Sequence, residues 1–370
     1  MTESLTPATD PATFRAQFPV LERLSYLNAG TEGPVPRAAA DAAHLRIDVE
    51  TYHGRCGHEY FEKLMELRDR VRASYAGALG CTPSEVALTG STTDGVNTVI
   101  GGLDLRPGDE ILTSDQEHPG LLAPLARARR RHGVKVRVVP FAEIAGEVKS
   151  ATRLIACSHV SWGGGEVVDV PALVSTGVPV LLDAAQALGA VPVDVHALGC
   201  DFYAASGQKW LCGPEGSGCL FVAPERLEDL LVPWPGYGSL ADAHDALESD
   251  WAEGVARLDH GFPAGLRSAS ALASLGVFEA AGWDWVHSRA VSLAARLADA
   301  LAERGLDVRP RGHSTLVSWV AVDPEAEVAR LAGEAVVVRH IPAFGIVRAS
   351  VGAWSSEEEL DRLVELATAG

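Results

Sequence analysis

Asp183-Ala184-Ala185-Gln186 and Ser206-Gly207-Gln208-Lys209-Trp210 decide how this chain folds. Each closes an apolar run. Val178-Pro179-Val180-Leu181-Leu182 leads into the aspartate, and Phe202-Tyr203-Ala204-Ala205 leads into the serine. Short apolar runs bounded by polar turns read as buried strands, and open parallel sheets bind ligands beyond the carboxyl ends of their strands. An aspartate and a lysine are therefore expected at one edge of one sheet.

The same pattern extends outward. Strands are expected at residues 85–89, 110–114, 135–140, 153–157, 178–183, 201–206 and 218–222. Helical stretches lie between several of them, notably 93–101 and 120–132. This alternation predicts an α/β layer with a mostly parallel sheet. Upstream, residues 60–79 place Phe61, Leu64, Val71 and Tyr75 on one helical face, which only Arg68 breaks, so this helix is expected to pack on the core. Past about residue 258 the pattern changes to a long helix at 283–304, strands at 315–322, 335–339 and 345–351, and a last helix after Ser356. Ser356-x-x-Glu359 reads as its capping box. The expected organisation is an N-terminal segment (1–25), a large domain (26–258) and a smaller α+β domain (259–370).

Composition excludes several classes of function. The 370 residues are 47% hydrophobic and 22% charged, which is a globular balance. A formal charge of −18 argues against nucleic acid or an anionic membrane as partner. Residues 1–12 carry Glu3 and Asp10 without an apolar core, so they do not read as a secretory signal. Apolar runs stay short of membrane-spanning length. The cysteines, at 56, 81, 157, 200, 212 and 219, show no CxxC and no metal-ligand spacing. Reduced, mostly buried thiols in a cytoplasmic protein are expected, with no metal.

Four short segments carry chemistry. Lys209 sits between apolar neighbours, and burial would lower its pKa and free the amine as a nucleophile; the alternative is a solvated surface lysine. Asp183 can hold a ring nitrogen protonated or simply cap a helix. Thr89-Gly90-Ser91-Thr92-Thr93-Asp94 follows a strand and opens a helix, so its hydroxyls and free N–H groups form an anion site or an ordinary N-cap. His118, past the strand at 110–114, can stack on an aromatic ring or serve as a structural histidine. Ser206 and Gln208 can donate to a phosphate, and the glycine-rich 213–218 lets backbone approach closely. Together these features suggest a pyridoxal 5′-phosphate (PLP) enzyme.

In this order and spacing the chain resembles the class V branch of fold-type I PLP enzymes. That branch includes cysteine desulfurases, isopenicillin-N-epimerase-like proteins and cyst(e)ine C–S lyases. The likeness runs from Tyr26-Leu27-Asn28-Ala29-Gly30 to Glu357-Glu358-Glu359-Leu360-Asp361-Arg362-Leu363. It implies that Lys209 carries the cofactor and serves as base for the α-proton. It implies that Asp183 bonds the pyridine nitrogen, Gln186 the phenolic oxygen, and that His118 stacks on the ring. Thr92, Thr93, Ser206 and Gln208 would surround the phosphate. Arg348, in Ile346-Val347-Arg348-Ala349-Ser350, would grip the α-carboxylate of an amino-acid substrate, a task that suits a planar guanidinium. A homodimer is implied as well.

Departures from the pattern discriminate within the family. Desulfurases carry a nucleophilic cysteine late in the chain, and here no cysteine follows Cys219, so a desulfurase would need Cys56 or Cys81 to reach the site. Many relatives have His-Val-Ser-Asn where this chain has His159-Val160-Ser161-Trp162. Many have Gly-Thr reaching the partner's phosphate where this chain has Gly261-Phe262. The C–S lyases resemble it more closely. They share Glu117-His118-Pro119-Gly120, a tryptophan at the position of Trp162, and two arginines nine apart, here Arg339 and Arg348. Arg339 would then hold a distal carboxylate, or else lie at a strand end as a surface residue. The expected reaction is elimination of a thiol from Cβ of cysteine, cystine or a cysteine S-conjugate, leaving pyruvate and ammonia. An aminotransferase or epimerase shares all the cofactor contacts, and a non-catalytic regulator is a further alternative. The substrate side-chain pocket is expected from 28–34, beginning at Asn28, with 52–60 and 234–239.

Overall fold

The computed structural model describes residues 10–261 and 263–369. Its strands are β1 (Ser25–Tyr26), β2 (Val86–Thr89), β3 (Glu110–Ser114), β4 (Lys135–Val139), β5 (Thr152–Ser158), β6 (Val180–Asp183), β7 (Phe202–Ser206), β8 (Gly218–Val222), β9 (Leu316–Val320), β10 (Val336–Val337), β11 (Arg339–Ile341) and β12 (Ile346–Ser350). β2 to β8 form one seven-stranded sheet in the order β2-β8-β7-β6-β5-β3-β4. Pairs from β4 through β3, β5 and β6 to β7 are parallel, while β8 runs antiparallel to both β7 and β2. The architecture is α/β, a mixed sheet flanked by helices.

The near-continuous apolar strands follow from burial on both faces. Leu182, Tyr203 and Cys219 join a core that includes Val71, Tyr75 and Phe278. Leu181, Phe202 and Leu220, one position away, join a second core with Val96, Val99 and Leu121. In β6 and β7 the carboxylate of Asp183 and the hydroxyl of Ser206 come at the strand ends. The parallel register places Ser158 beside Asp183 and Asp183 beside Ala204, so the ends of β5, β6 and β7 line up at one edge.

The C-terminal part builds an antiparallel sheet β11-β12-β9 under the helices Trp283–Glu303, Pro324–Gly333 and Glu357–Ala367. The expected capping box is present, with Ser356 and Glu359 bonding reciprocally. The single strand expected at 335–339 is split into β10 and β11, which belong to different sheets. β10 pairs instead with β1, so the chain near residue 25 runs along the C-terminal part before entering the seven-stranded sheet. A return crossing is made by the helix Gly265–Ala281, whose Leu275 and Phe278 pack into the large core. The early helix spans His58–Leu79 and buries Leu64, Val71 and Tyr75 as expected, but Phe61 stands 45% exposed. Its buried cation is Arg72 and not Arg68. Arg72 pairs with Asp259 at 2.6 Å, a contact between residues too distant in sequence for helical periodicity to reveal.

Candidate active site

Asp183 ends β6 and is buried, with Oδ1 accepting from the Ala185 N–H at 2.9 Å. No helix directly follows Asp183, so the carboxylate closes a turn at the sheet edge and does not cap a helix. Burial raises its pKa, opposed by the Lys209 charge and by the Ala185 N–H. Lys209 lies in the turn after β7. The Gly207 N–H donates to the Ser217 carbonyl at 2.8 Å, the Cys212 N–H to the Lys209 carbonyl at 3.0 Å, and the Gly213 N–H to the Gly207 carbonyl at 2.9 Å. Cys212 closes this turn at φ 53, in the left-handed region where a side chain is disfavoured. The Lys209 amine is pulled down to about 8, first by burial and then by Arg348 and Arg339, against the upward pull of Asp183 and Glu32. An amine in that range exchanges protons near neutral pH.

The other residues expected around a cofactor converge on the same edge. Thr92, first residue of the helix Thr92–Gly102, bonds Ser206 Oγ through its N–H at 2.9 Å and its hydroxyl at 2.7 Å. Thr93 Oγ1 lies 2.5 Å from where a side chain on Gly120 would begin, so it faces the turn that holds His118. His118 caps the helix Pro119–His132, its Nδ1 accepting from the Gly120 N–H at 2.9 Å. Its ring meets the Trp162 ring edge-on at 4.9 Å. Burial first, then Lys209, Arg339 and Arg348, push its pKa down to about 4, so the imidazole is neutral. Gln208 Oε1 is buried without a partner. Gln186 differs from expectation in one respect: its amide already serves the protein at both ends. Nε2 donates to the Gly30 carbonyl at 2.8 Å, and Oε1 accepts from Trp210 Nε1 at 3.1 Å.

The opposite wall comes from the β11-β12-β9 sheet. Arg339 in β11 and Arg348 in β12 are directly paired across the antiparallel ladder. Arg348 is fully buried, its Nη1 donating to the Trp162 carbonyl at 2.6 Å, while Nε and Nη2 have no partner. Burial and then Arg339 press its pKa down, yet charge delocalisation keeps a guanidinium cationic at neutral pH. Arg339 Nη1 donates to Thr31 Oγ1 at 2.9 Å, and Thr31 Oγ1 donates to Asn28 Oδ1 at 2.8 Å. Asn28 therefore reaches this wall through Thr31. Among the other expected pocket segments, Arg55 pairs with Glu50 and His58 with Glu62, while Trp234 and Tyr237 stand 51% and 71% exposed.

Sequence reading passed over three polar groups. Glu117, just before His118, is buried and accepts from Ser114 Oγ, from the Ser158 N–H at 3.0 Å and from Ser158 Oγ at 2.5 Å. It ties β3 to β5 immediately behind the histidine. Burial raises its pKa to about 7 despite these bonds, and Asp183 adds to the rise. Glu32 is a half-buried carboxylate in the loop that docks on Lys209, where the Gly33 N–H donates to the Gln208 carbonyl at 2.7 Å. Burial and then Glu215 raise its pKa, while Lys209 lowers it. Ser350 is the third. Its one sequence signal is its position two residues past Arg348, which puts both on one face of a strand.

Phe262 lies outside the described residues. Its neighbour Gly261 borders a cleft of about 250 Å³, also lined by Gly90, Asp94, Gly216 and Arg267, beside the helix start at Thr92.

The family model described as aminotransferase class-V matches residues 26–363. The chain belongs to the class V aminotransferase family. It is 32% identical to a cysteine desulfurase of Salmonella typhimurium over 274 residues, covering 67% of each chain. The cystine C–S lyase C-DES, solved with its reaction product cysteine persulfide, superposes with a TM-score of 0.90 at 27% identity, covering 95% of this chain and 99% of that one. A C-DES mutant carrying glycine covalently linked to its PLP cofactor superposes with a TM-score of 0.91 at 27% identity, covering 96% and 99%. The cysteine desulfurase CsdA of Escherichia coli gives a TM-score of 0.86 at 25% identity, covering 97% and 98%.

Proposed function

We propose that this protein is a PLP-dependent β-eliminating C–S lyase that acts on cystine or a cysteine S-conjugate bearing a second carboxylate. The cofactor is pyridoxal 5′-phosphate, and the activity is of the cysteine C–S lyase and desulfurase type. The residues fit this cofactor. A half-buried lysine, a buried carboxylate and a helix N-terminus meet at one edge. In this reading Lys209 holds the aldehyde carbon, Asp183 the ring nitrogen, and His118 the ring face. Thr92, Thr93, Ser206 and Gln208 hold the phosphate, with Gln186 at the phenolic oxygen. When bound, the group supplies an electron-poor ring that stabilises negative charge at the substrate Cα.

The remaining chemistry belongs to the chain. Arg348 binds the α-carboxylate with its free Nε and Nη2 edge, which fixes the substrate about Cα. The Lys209 amine, with its lowered pKa, accepts the α-proton and returns it to the leaving thiolate. Neutral His118 supports the ring without adding a third positive charge beside the arginines. With one water, the overall change is from R–S–CH2–CH(NH3⁺)–COO⁻ to R–SH, pyruvate and ammonium.

The observation that carries the choice of substrate is the in-register pair Arg339 and Arg348. Two cations forced together across a ladder repel unless anions separate them, and a substrate with two carboxylates does so. The cysteine desulfurase relatives favour a second reading, in which sulfur passes to a protein thiol. Cys81 is a poor acceptor, because burial, Glu85 and Asp194 push its thiol up to about 12. The test is product analysis with cystine and with cysteine. Pyruvate and ammonia support the lyase, alanine supports the desulfurase, and an α-oxo acid with aminated cofactor supports transamination.

This reading includes a homodimer in the cytoplasm. Exposed Trp234, Tyr237 and Leu247 offer an apolar surface for a second copy, which sedimentation would detect. All six cysteines are free, as suits a reducing compartment, and among the described residues no helix is long and apolar enough to cross a membrane.

A further inference from the structure

Arg348 shares its strand face with a second unused group. Ser350 follows two residues later in β12, so its side chain leaves the same side of the sheet. It is fully buried, and its Oγ has no hydrogen-bond partner. Arg348 Nε and Nη2 are in the same condition. Buried polar atoms carry a desolvation penalty unless they are bonded, so three of them on one strand face point to a ligand that completes them.

Backbone contacts fix where the hydroxyl lies. The Ser350 N–H donates to the Leu27 carbonyl at 2.8 Å, and Ser350 bridges to Asn28. The loop continues to Gly30. A Cβ placed on Gly30 would stand 2.8 Å from Ser350 Oγ and 2.9 Å from Arg348 Nη2. The hydroxyl and the guanidinium edge therefore flank one point, and a glycine there keeps both unobstructed. Arg348 cannot turn away, because its Nη1 is anchored on the Trp162 carbonyl.

We propose that Ser350 is a substrate-binding residue whose hydroxyl donates to the α-carboxylate held by Arg348. This rests on the reading of Arg348 given above and extends it to a second donor. A carboxylate offers about four lone-pair positions, and a bidentate guanidinium uses two of them. A third donor from the side sets the plane of the carboxylate. With that plane set, rotation of the substrate about Cα is restricted, and the α-hydrogen keeps its aim at Lys209.

The test compares two amines that differ by this carboxylate alone, L-alanine and ethylamine, binding to the holoenzyme. Binding is read at equilibrium from the visible spectrum, without turnover. Ser350→Ala is expected to weaken L-alanine about tenfold, as for one hydrogen bond to a charged group, and to leave ethylamine unchanged. KM for cystine should rise by a similar factor, with kcat within about threefold, because the bond is present in ground and transition state alike. Equal weakening of both amines, or of neither, overturns the proposal. Arg348→Gln in the same assay separates the two levels of inference. If it abolishes the preference for alanine while Ser350→Ala leaves that preference unchanged, only the serine assignment falls. If neither variant alters the preference, the carboxylate reading of Arg348 falls with it. Thermal melting of both holoenzymes shows whether any loss is one of folding, and a Ser350→Cys variant of native melting temperature replaces Ser350→Ala if that protein is destabilised.

Discussion

The two walls of the site are built in opposite ways. On the wall at the edge of the seven-stranded sheet the polar groups are largely satisfied within the protein, Gln208 Oε1 being an exception. Asp183 accepts from Ala185, Thr92 and Ser206 bond each other, Gln186 spans Gly30 and Trp210, and Glu117 takes bonds from two serines. On the β12 wall Arg348 and Ser350 are buried with atoms unpartnered. A wall whose bonds are already made holds its shape when empty, which suits a resident cofactor. A wall with open bonds is completed by whatever arrives, which suits a substrate that comes and goes. Under the proposed function, this difference matches cofactor work on one wall and substrate work on the other.

Removing the one amine on the cofactor wall should break this arrangement most severely. Lys209→Ala is expected to lower turnover by roughly 10²–10⁴-fold through loss of proton transfer alone. It should also abolish the visible absorbance of a lysine-bound cofactor. A variant that retained both would overturn the assignment of Lys209.

The two walls were also unequally legible in the sequence. The cofactor wall sits at the ends of central strands, and a buried strand declares itself as an apolar run that stops at a polar residue. Asp183 and Ser206 were visible for that reason, and β3 and β8 have the bounds expected of them. His118 and Thr92 follow strands in the same manner. The substrate wall depends on pairing between strands, which no local pattern encodes. Arg339 and Arg348 could be recognised by spacing, but their face-to-face register could not, and β10 and β11 read as one strand although they join different sheets. Glu32 and Ser350 gain meaning only once the loop at residues 28–33 is seen to run between Lys209 and β12. The helices Arg37–His53 and Gly265–Ala281 escaped because alanine-rich segments carry little apolar periodicity.

On the substrate wall, Arg348→Lys should lower kcat/KM roughly 10- to 100-fold, since an ammonium cannot reproduce bonds from a guanidinium edge. The paired residue sharpens the point. Arg339→Gln should weaken cystine by about tenfold and leave S-methylcysteine, which lacks a distal carboxylate, nearly unaffected. Equal losses on the two substrates would show that Arg339 does not read the distal end.

Gly30 lies where the walls meet, and its replacement should disturb both at once. The Cβ of Gly30→Ala would press on Gln186 Oε1 at 2.8 Å as well as on Ser350 Oγ and Arg348 Nη2. Overpacking of this kind costs about 1–3 kcal/mol. A lower melting temperature and weaker amino-acid binding are expected together in the holoenzyme. Native stability with native affinity would mean that the loop can step aside, and that the two walls are not coupled through it.

The smallest effect tests the electrostatic boundary between the walls. Lys209 feels carboxylates from Asp183 and Glu32 and cations from Arg348 and Arg339. A nearby negative charge favours the protonated amine, so its removal lowers the pKa, and removal of a positive charge raises it. Glu32→Gln should therefore move Lys209 below its value of about 8, and Arg339→Gln should move it above. The Glu32 shift should be roughly half a unit, because a half-exposed charge contributes about 1 kcal/mol or less. Competitive acetylation of the cofactor-free protein, followed by peptide mass spectrometry across pH, reads the free fraction of this one amine. The Glu32→Gln curve should lie at lower pH than wild type and the Arg339→Gln curve at higher pH. If both curves superimpose on wild type, the lysine is set by burial alone, and the two walls do not act on it as opposing charges.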